Sequence, residues 1–493
     1  MLQAATRWRS FIWIATTLLI YYPIFQTRPV FDDTAHVEFA ARQGWQLLHM
    51  GPFFFRPFER VLIGVNWMLS GDNFWLVRLA SLAIFILKVS LVYDLAARIA
   101  SPRGGWAPWV IALVFLLHPM NVCAVGKIDT FSEDIAALFA LLVVRLAIIA
   151  AGSGEAAPAT AWRNAWLVAV LLFTGMLSKE AFVGIAAATP ILFAVAIRIS
   201  GRESRRALVY LVAFSAVAAL AYFAARHAFG FPLAGALTPA ARYQLHVGSN
   251  ALLNLAAEFA SITFPGSSLA VFVRFNAVHV IISLSLIIAY LMLFRRQLVA
   301  MTAGYGRLAV EQRRQILIVL IAALSAMFPT CLISQVISEN QTALALPFVI
   351  LLALACPLAV RLEPADTGTR TANLVGCLSA VALVWMAGAT VDKVLAARDT
   401  SEHAYRIGDV ILSKYYENPT PNVTVCFEHS LQTEPRKYSV LSMPDDLAAF
   451  FQLYRLRVAV PAPALDVVDL RLKNPGNPPP CNLSIAGASV TRQ

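Results

Sequence analysis

Charged residues are scarce in this sequence. Only 14% of its 493 residues are Asp, Glu, Lys or Arg, whereas a soluble domain usually carries about 25%. Hydrophobic residues make up 59% of the chain, and its mean hydropathy is +0.68. Most of the chain therefore has no water to face. Apolar stretches close to the ~20 residues that cross a bilayer recur from Trp13 to Val391.

A cleavable signal peptide is also lacking. Arg7 and Arg9 precede an apolar run within residues 1–27, but no convincing small-residue cleavage site follows that run. We interpret it as a first transmembrane helix.

Cysteine is sparse and follows no metal-ligand spacing. Four of the six cysteines lie in or beside hydrophobic segments, namely Cys123, Cys331, Cys356 and Cys377. Cys426 and Cys481 lie in the last, more polar stretch. If that stretch is outside the cytoplasm they could form a disulfide, and the alternative is two unpaired thiols.

No basic face with interleaved aromatic residues is present, which argues against nucleic acid as a partner. The formal charge of +11 instead falls mainly in short loops that alternate with loops rich in other polar residues. The basic loops contain Arg98 and Arg103, Arg163, residues 198–206, residues 295–314, and Arg361 with Arg370. This positive-inside pattern predicts a multi-pass protein of the inner (cytoplasmic) membrane, with a cytoplasmic N-terminus.

Hydropathy predicts eleven membrane spans and therefore an external C-terminus. The spans are 11–27, 74–98, 105–122, 133–151, 164–178, 181–198, 207–228, 276–294, 315–332, 342–360 and 372–391. Residues 250–272 are apolar enough to span in part, but no basic loop intervenes. We therefore interpret them as a re-entrant or interfacial segment.

The predicted fold class is an all-α polytopic membrane protein with a small α/β extracytoplasmic domain at its C-terminus. A transmembrane domain, 1–391, has a first external loop, 28–73, in which residues 34–50 and 61–69 form interfacial helices. The external domain covers 392–493. Its predicted helices are 401–417 and 445–456, and its predicted strands are 422–428, 457–460 and 467–470.

Asp32 and Asp33 directly follow the first span. A carboxylate at the membrane surface can accept a proton from a sugar hydroxyl when it is held against both substrates. Asp33 also suits the N-cap of the helix that follows, and from position alone capping is the better interpretation.

A second polar cluster begins where the third span ends at His118-Pro119. Lys127, Glu133 and Asp134 crowd the short loop before the fourth span. Taken alone, this cluster is better explained by ordinary loop polarity, with Ser132 or Asp134 capping the next helix.

A third cluster, Ser178-Lys179-Glu180, separates two spans with almost no loop. Such a Lys-Glu pair is costly unless it is paired or functional, although a turn that snorkels to the interface is an alternative. Arg56 and Glu339 are weaker single candidates. Mid-span Lys88 has no partner at helical spacing, and we expect Arg145 to snorkel to the cytoplasmic side.

Topology strengthens these candidates, because all of them except Lys88 and Arg145 fall on the external side of the predicted fold. Their order resembles the GT-C superfamily of multispanning glycosyltransferases, and within it the branch of transmembrane O-mannosyltransferases with TPR tails. The resemblance covers about residues 11–360, and the TPR tail is missing. It is carried by Asp32-Asp33, Phe55-Arg56-Pro57, Leu117-His118-Pro119, Asp134 to Phe139, Leu177 to Glu180, and Glu339 before Leu346-Pro347.

The resemblance implies transfer of a sugar from a polyprenyl-phosphate-linked donor, with inversion, to a surface glycan, a lipid or a protein. Asp33 or Asp32 would be the base, and Lys179, Arg56 and Lys127 would bind the donor phosphate. The remaining members of the site would orient these cations or contact substrate: Glu133, Asp134, Glu180, Glu339 and His118, the last in a structural role. We expect no cofactor and no obligatory metal.

Three other functions stay open. A transporter or flippase for lipid-linked glycans predicts charges through the middle of the bundle and inverted repeats, whereas only Lys88 and Arg145 are mid-span and no repeat is evident. A lipid-linked polymer polymerase or ligase favours large central external loops. A membrane scaffold would tolerate loss of Asp32 and Asp33 without loss of product.

Overall fold

The computed structural model describes most of the hydrophobic part of the chain and four short strands near its end. The described residues are 8–27, 55–71, 73–100, 105–126, 128, 130–152, 158–197, 202–231, 248–263, 277–302, 308–332, 342–359, 369–417, 422–427, 464–469, 483–486 and 489–492.

Eight helices make up the first half of the described chain. They are α1 (Arg9–Tyr21), α2 (Pro57–Ser70), α3 (Trp75–Ala100), α4 (Ala107–Leu116), α5 (Asn121–Gly126), α6 (Phe131–Gly152), α7 (Pro158–Ser178) and α8 (Val183–Ala196). A 3₁₀ turn, Tyr22–Gln26, extends α1, and another, Glu180–Phe182, joins α7 to α8.

The second half continues as an α-helical bundle. Its helices are α9 (Arg202–Ala228), α10 (Ser249–Thr263), α11 (Ala277–Leu293), α12 (Arg295–Thr302), α13 (Val310–Cys331), α14 (Leu346–Ile350), α15 (Cys356–Ala359) and α16 (Thr369–Glu417). A π-helical turn, Leu351–Ala355, connects α14 with α15.

Every predicted span coincides with helical structure. Among the described residues five helical segments are long and apolar enough to cross a membrane: Trp75–Ala100, Phe131–Gly152, Ser204–Ala228, Val310–Cys331 and Cys377–Asp399. Five shorter apolar helices accompany them. The chain is thus a polytopic membrane protein, and the count of eleven spans stays a prediction.

The centre of the bundle is the contact between α3 and α6. Phe85 and Val89 of α3 are fully buried, as are Ala136 and Ala140 of α6. Small residues on a helix face let two backbones approach closely, which is a common basis of helix packing in membranes. This contact sets the first turn of α6 directly beside α3.

A second close approach fixes α8 against α13. A Cβ atom added at Gly184 would lie 2.1 Å from the carbonyl oxygen of Ser325. Only glycine leaves room for this contact, so the start of α8 is held at a defined position. The turn before α8 carries Lys179 and Glu180, and its placement therefore follows from the same packing.

Helix α2 contains the predicted interfacial residues 61–69. It buries Glu59 and Asn66 and exposes Phe58 and Leu69. This reversal of the usual pattern suits a helix whose outer face meets lipid and whose polar face meets the bundle. Asn66 also bridges to the start of α3, since its side chain bonds with Asn73 O at 3.2 Å and Val77 N at 3.4 Å.

Helix α16 is a single helix of 49 residues. It combines the predicted span 372–391 with the predicted helix 401–417, which we had expected to be separate. At ~1.5 Å per residue, such a helix is more than twice as long as the ~30 Å hydrocarbon core is thick.

Four short strands, β1 (Asn422–Phe427), β2 (Ala464–Asp469), β3 (Leu483–Ala486) and β4 (Ser489–Arg492), form one sheet in the order β2-β1-β3-β4. β1 is parallel to both β2 and β3, and β4 is antiparallel to β3. β1 and β2 overlap two of the predicted strands. The predicted helix 445–456 and strand 457–460 lie outside the described residues, so the α/β domain stays a prediction.

Candidate functional site

Aromatic packing positions Arg56 at the start of α2. Phe55 is buried and packs against Tyr222, Phe229 and Phe231 at the end of α9, with ring centroids 5.5 to 6.1 Å apart. Pro57 opens the helix, a position where its missing N–H costs nothing. The backbone of Arg56 is therefore held in place by its neighbours, Phe55 before it and Pro57 after it.

Arg56 contacts three elements of the bundle. Its Nε donates to Glu180 Oε2 at 3.2 Å, and its guanidinium lies 3.4 Å from Ser132 Oγ and 3.6 Å from Glu59 Oε2. Burial works to lower the pKa of Arg56, but the nearby carboxylates outweigh it and raise this pKa above its usual value. Arg56 is thus a permanent buried cation.

The Lys179-Glu180 turn is fixed by the helix before it. A Cβ atom at Gly175 would lie 2.4 Å from the ring of Phe182, so glycine is needed for this ring to fold back against α7. Ser178 Oγ bonds the carbonyl of Thr174 at 2.8 Å, and Lys179 leaves the helix in an extended conformation. The two charged side chains consequently project from a rigid turn.

Lys179 forms an ion pair with Glu133 at the first turn of α6. Ser132 Oγ donates to Glu133 Oε2 at 2.8 Å, and the same hydroxyl contacts Arg56. A continuous chain of polar contacts therefore joins the first loop, α6 and the α7–α8 turn. We call these six residues the charged network: Arg56, Glu59, Ser132, Glu133, Lys179 and Glu180.

Asp134, the neighbour of Glu133, faces away from Lys179. It forms a fully buried ion pair with Lys88 of α3, whose ammonium also lies 5.4 Å from the centre of the Phe85 ring. The expectation that Lys88 has no obvious partner was wrong, because its partner lies on another helix. Asp134 thereby fixes the start of α6 and with it the position of Glu133.

Arg145 also has a partner within the bundle. It donates to Asp94 at 2.7 Å, and Asp94 accepts a second bond from Arg98 at 3.0 Å. Arg145 thus has a partly exposed ion-pair partner, and its expected snorkelling to the cytoplasmic side stays a prediction.

The charged network is close to electrically balanced. Arg56 and Lys179 face Glu59, Glu133 and Glu180, and Arg60 brings another positive charge next to Glu59. Glu180 Oε1 and Asp134 Oδ2 are among the buried carboxylate oxygens that have no hydrogen-bond donor among the described residues. The site can therefore accept hydroxyl donors, and its oriented cations can face an anion.

His118 lies apart from the charged network. Its Nδ1 accepts from Met120 N at 3.3 Å, so the proton sits on Nε2, which faces Ile262 O at 3.1 Å. This arrangement makes His118 a buried link between the end of α4 and α10, in keeping with a structural role.

The other predicted site residues, Asp32, Asp33, Lys127 and Glu339, lie outside the described residues. Sequence reasoning missed Glu59, Ser132 and the pairing of Lys88. Glu59 carried a usable signal, because it lies three residues after Arg56 and so shares its side of the helix. Within the described part of the chain, no three His, Cys, Asp or Glu residues are grouped to hold a metal ion.

Comparison with solved structures yields matches, whereas no protein-family model and no curated protein matches this chain. The crystal structure of ArnT from Cupriavidus metallidurans in the apo state has a TM-score of 0.54 and 14% identity, covering 90% of this chain and 85% of ArnT. ArnT bound to undecaprenyl phosphate gives a TM-score of 0.49 at 13% identity, with 95% and 90% coverage.

The cryo-EM structure of the arabinofuranosyltransferase AftD from Mycobacteria gives a TM-score of 0.46 and 15% identity, covering 94% of this chain and 32% of AftD. The narrower resemblance to the O-mannosyltransferase branch stays a prediction. The comparison with apo ArnT shows that this chain shares the fold of that structure, and its long apolar helices make it a polytopic membrane protein.

Proposed function

We propose that this protein is a GT-C glycosyltransferase that moves a sugar from a polyprenyl-phosphate-linked donor to an extracytoplasmic acceptor. The charged network is the observation that carries the proposal. It gathers charges from three separate segments into one buried cluster at the ends of apolar helices. Burying charges costs several kcal/mol per ion before pairing, so a cluster of this size in a membrane protein is a functional site by default.

The reaction would be a single displacement. The oxygen of an acceptor hydroxyl attacks the anomeric carbon of the donor sugar from the face opposite the phosphate. The bond between that carbon and the phosphate oxygen breaks, and the polyprenyl phosphate leaves with the electron pair, which inverts the anomeric centre. Asp33, or Asp32, accepts the proton of the attacking hydroxyl.

Arg56 and Lys179 would stabilise the leaving phosphate. Negative charge develops on the phosphate as the bond breaks, and oriented cations in a site with little water act most strongly there. Lys127 would add a third cation. Each of the first two is aligned by a carboxylate, Glu180 for Arg56 and Glu133 for Lys179. The phosphate would then meet cations that need little reorganisation.

Glu180 has a second role in this proposal. Its Oε1 lacks a donor among the described residues, and about a quarter of its side chain is exposed. Because Oε1 itself is buried, a sugar hydroxyl would donate to it only after the carboxylate turns toward the exposed part of the side chain. Glu339 is proposed as a further substrate contact.

The decisive experiment substitutes Asp32→Asn and Asp33→Asn singly and compares surface glycans and lipids by mass spectrometry in cells lacking the wild-type protein. Loss of one product species in either variant, at normal protein abundance, supports the proposal. Glu402→Gln is the matched control, since this half-exposed residue on α16 lies outside the charged network and pairs with Arg406 at 3.6 Å. Unchanged profiles in both Asp variants would remove the catalytic assignment.

A further inference from the structure

An apolar cavity lies on a part of the bundle that does not include the charged network. Its volume is about 310 Å³, and it is lined by one face each of α4, α11 and α16 together with the π-helical turn and its flanks. Val110, Leu286 and Leu354 are typical of its walls. None of its lining residues belongs to the charged network or to α2, α6, α7 or α8.

The shape of this cavity decides what can enter it. It follows α4 from Trp106 to His118, which corresponds to about 18 Å of helix. The cavity is lined mostly by aliphatic and aromatic side chains and is surrounded by apolar helices, so a single hydrocarbon chain fits it.

The two ends of the cavity differ in exposure, because Lys393 near His118 is buried, whereas Arg295 and Arg296 after Phe294 are exposed. At one end His118 is bonded to Ile262, and Thr390 Oγ1 donates to Leu117 O nearby, which ties the helices together there. At the other end Phe294 lines the cavity and is followed by Arg295 and Arg296, both exposed. Two exposed arginines directly after a lining residue of an apolar cavity match a lipid whose headgroup is an anionic phosphate.

We propose that this cavity binds one acyl chain of an anionic phospholipid, with the lipid phosphate against Arg295 and Arg296. The lipid comes from the membrane leaflet on the side of these arginines, which the positive-inside pattern predicts to be cytoplasmic. The site is independent of the proposed transferase reaction, whose donor phosphate would meet Arg56 and Lys179. It would hold α11 and α16 against α4, so the lipid acts as part of the fold.

The test uses the full chain, reconstituted in phosphatidylcholine vesicles containing a minor fraction of phosphatidylglycerol, then extracted and analysed by native mass spectrometry. The wild type should retain one phosphatidylglycerol through delipidation. Ala382→Trp fills the cavity and should abolish retention, whereas Val384→Trp, on the exposed face of the same helix, should leave it unchanged. The double substitution Arg295→Gln and Arg296→Gln should lower retention roughly tenfold or more.

A second measurement distinguishes loss of lipid binding from misfolding of a variant. Brominated acyl chains of phosphatidylglycerol should quench wild-type tryptophan fluorescence, and the quenched fraction should fall in Trp385→Phe, because Trp385 lines the cavity. Retention of a polyprenyl phosphate instead, equal retention of phosphatidylcholine, or equal loss in Val384→Trp would each overturn the proposal. None of these outcomes depends on glycosyltransfer, so a failure here is distinct from a failure of the proposed function.

Discussion

Two buried polar regions of this molecule stabilise their carboxyl groups differently, one with cations and the other with a hydroxyl group. In the charged network and the adjoining Lys88–Asp134 pair, each carboxylate lies against a cation. Helix α10 is fastened differently: Glu258 is buried and accepts a bond from the hydroxyl of Thr330, and its second oxygen has no donor among the described residues. The carboxylates of the first region therefore stay ionised, whereas the carboxyl group of Glu258 stays protonated.

The neutral region lies on one face of α10, and we call the contacts of Asn254, Glu258 and Ile262 on this face the latch. Asn254, Glu258 and Ile262 are spaced four residues apart, so they share one side of the helix. Asn254 bonds Cys331 O at 3.2 Å, Glu258 meets Thr330, and the carbonyl of Ile262 meets His118. Leu252 and Phe259 lie on the exposed side. Such contacts can fasten a helix, but they offer no oriented cations to an anionic substrate.

The largest expected effect tests the charged side of this comparison. Lys88→Met leaves Asp134 buried without its cation and should destabilise the protein by about 3–5 kcal/mol. The double variant Lys88→Met with Asp134→Leu removes both charges and should recover most of this loss, because paired buried charges often contribute little over apolar groups. Thermal unfolding in detergent measures both.

If the double variant is no more stable than Lys88→Met, Asp134 does not depend on Lys88 for its charge. The contrast with Glu258 would then disappear.

The next effect concerns the pH dependence of the latch. Helix α10 is not among the candidate membrane spans, and burial raises the pKa of Glu258 from 4.5 to about 8. A raised pKa means that the folded state favours the protonated acid. The attachment of α10 is therefore complete below about pH 4.5 and is lost as the pH rises through about 8.

Between about pH 6 and pH 8 this loss should amount to about 2 kcal/mol in the local opening of α10. Amide hydrogen exchange in residues 249–263 measures it, after correction for the intrinsic pH dependence of exchange. Glu258→Gln keeps the shape without a titratable proton and should remove the dependence. A pH response that persists in Glu258→Gln would assign the titration to another group.

The sequence predicts the local features of these two regions but not the contacts between helices within them. Helix positions and the candidates Arg56, Glu133, Lys179 and Glu180 could be predicted, because hydrophobic length and charge at span ends are local properties. The partner of Lys88 could not, since it lies 46 residues away on another helix. The latch was missed for the same reason, because the spacing of Asn254 and Glu258 acquires meaning only once α13 is placed beside α10.

A smaller effect separates function from stability within the charged network. Glu133→Gln keeps the hydrogen-bonding shape but removes the charge that orients Lys179, so product formation should fall roughly ten- to hundredfold. Stability should fall by less than in Lys88→Met, because Lys179 is partly exposed and the amide can still accept a hydrogen bond from it. Mass spectrometry of the product and thermal unfolding test the two parts, with Glu402→Gln as the control.

If Glu133→Gln loses as much stability as product formation, the charged network has a structural role, as the latch has. Recovery of activity in Glu133→Asp, which restores the charge at a shorter reach, would support the orienting role.

The smallest effect is expected where a charge pair is neither fully buried nor part of the network. Asp94 accepts from both Arg145 and Arg98, and all three side chains are about one-third exposed. Arg145→Gln should cost less than about 1 kcal/mol, since water screens the pair and Arg98 remains as a partner. Thermal unfolding at low and high salt measures this cost, which should shrink further as salt is added. A stability loss as large as that of Lys88→Met would mean that burial does not explain the difference between the Lys88–Asp134 and Arg145–Asp94 pairs. The contrast drawn between charged and neutral buried acids would then have to rest on the identity of the partner alone.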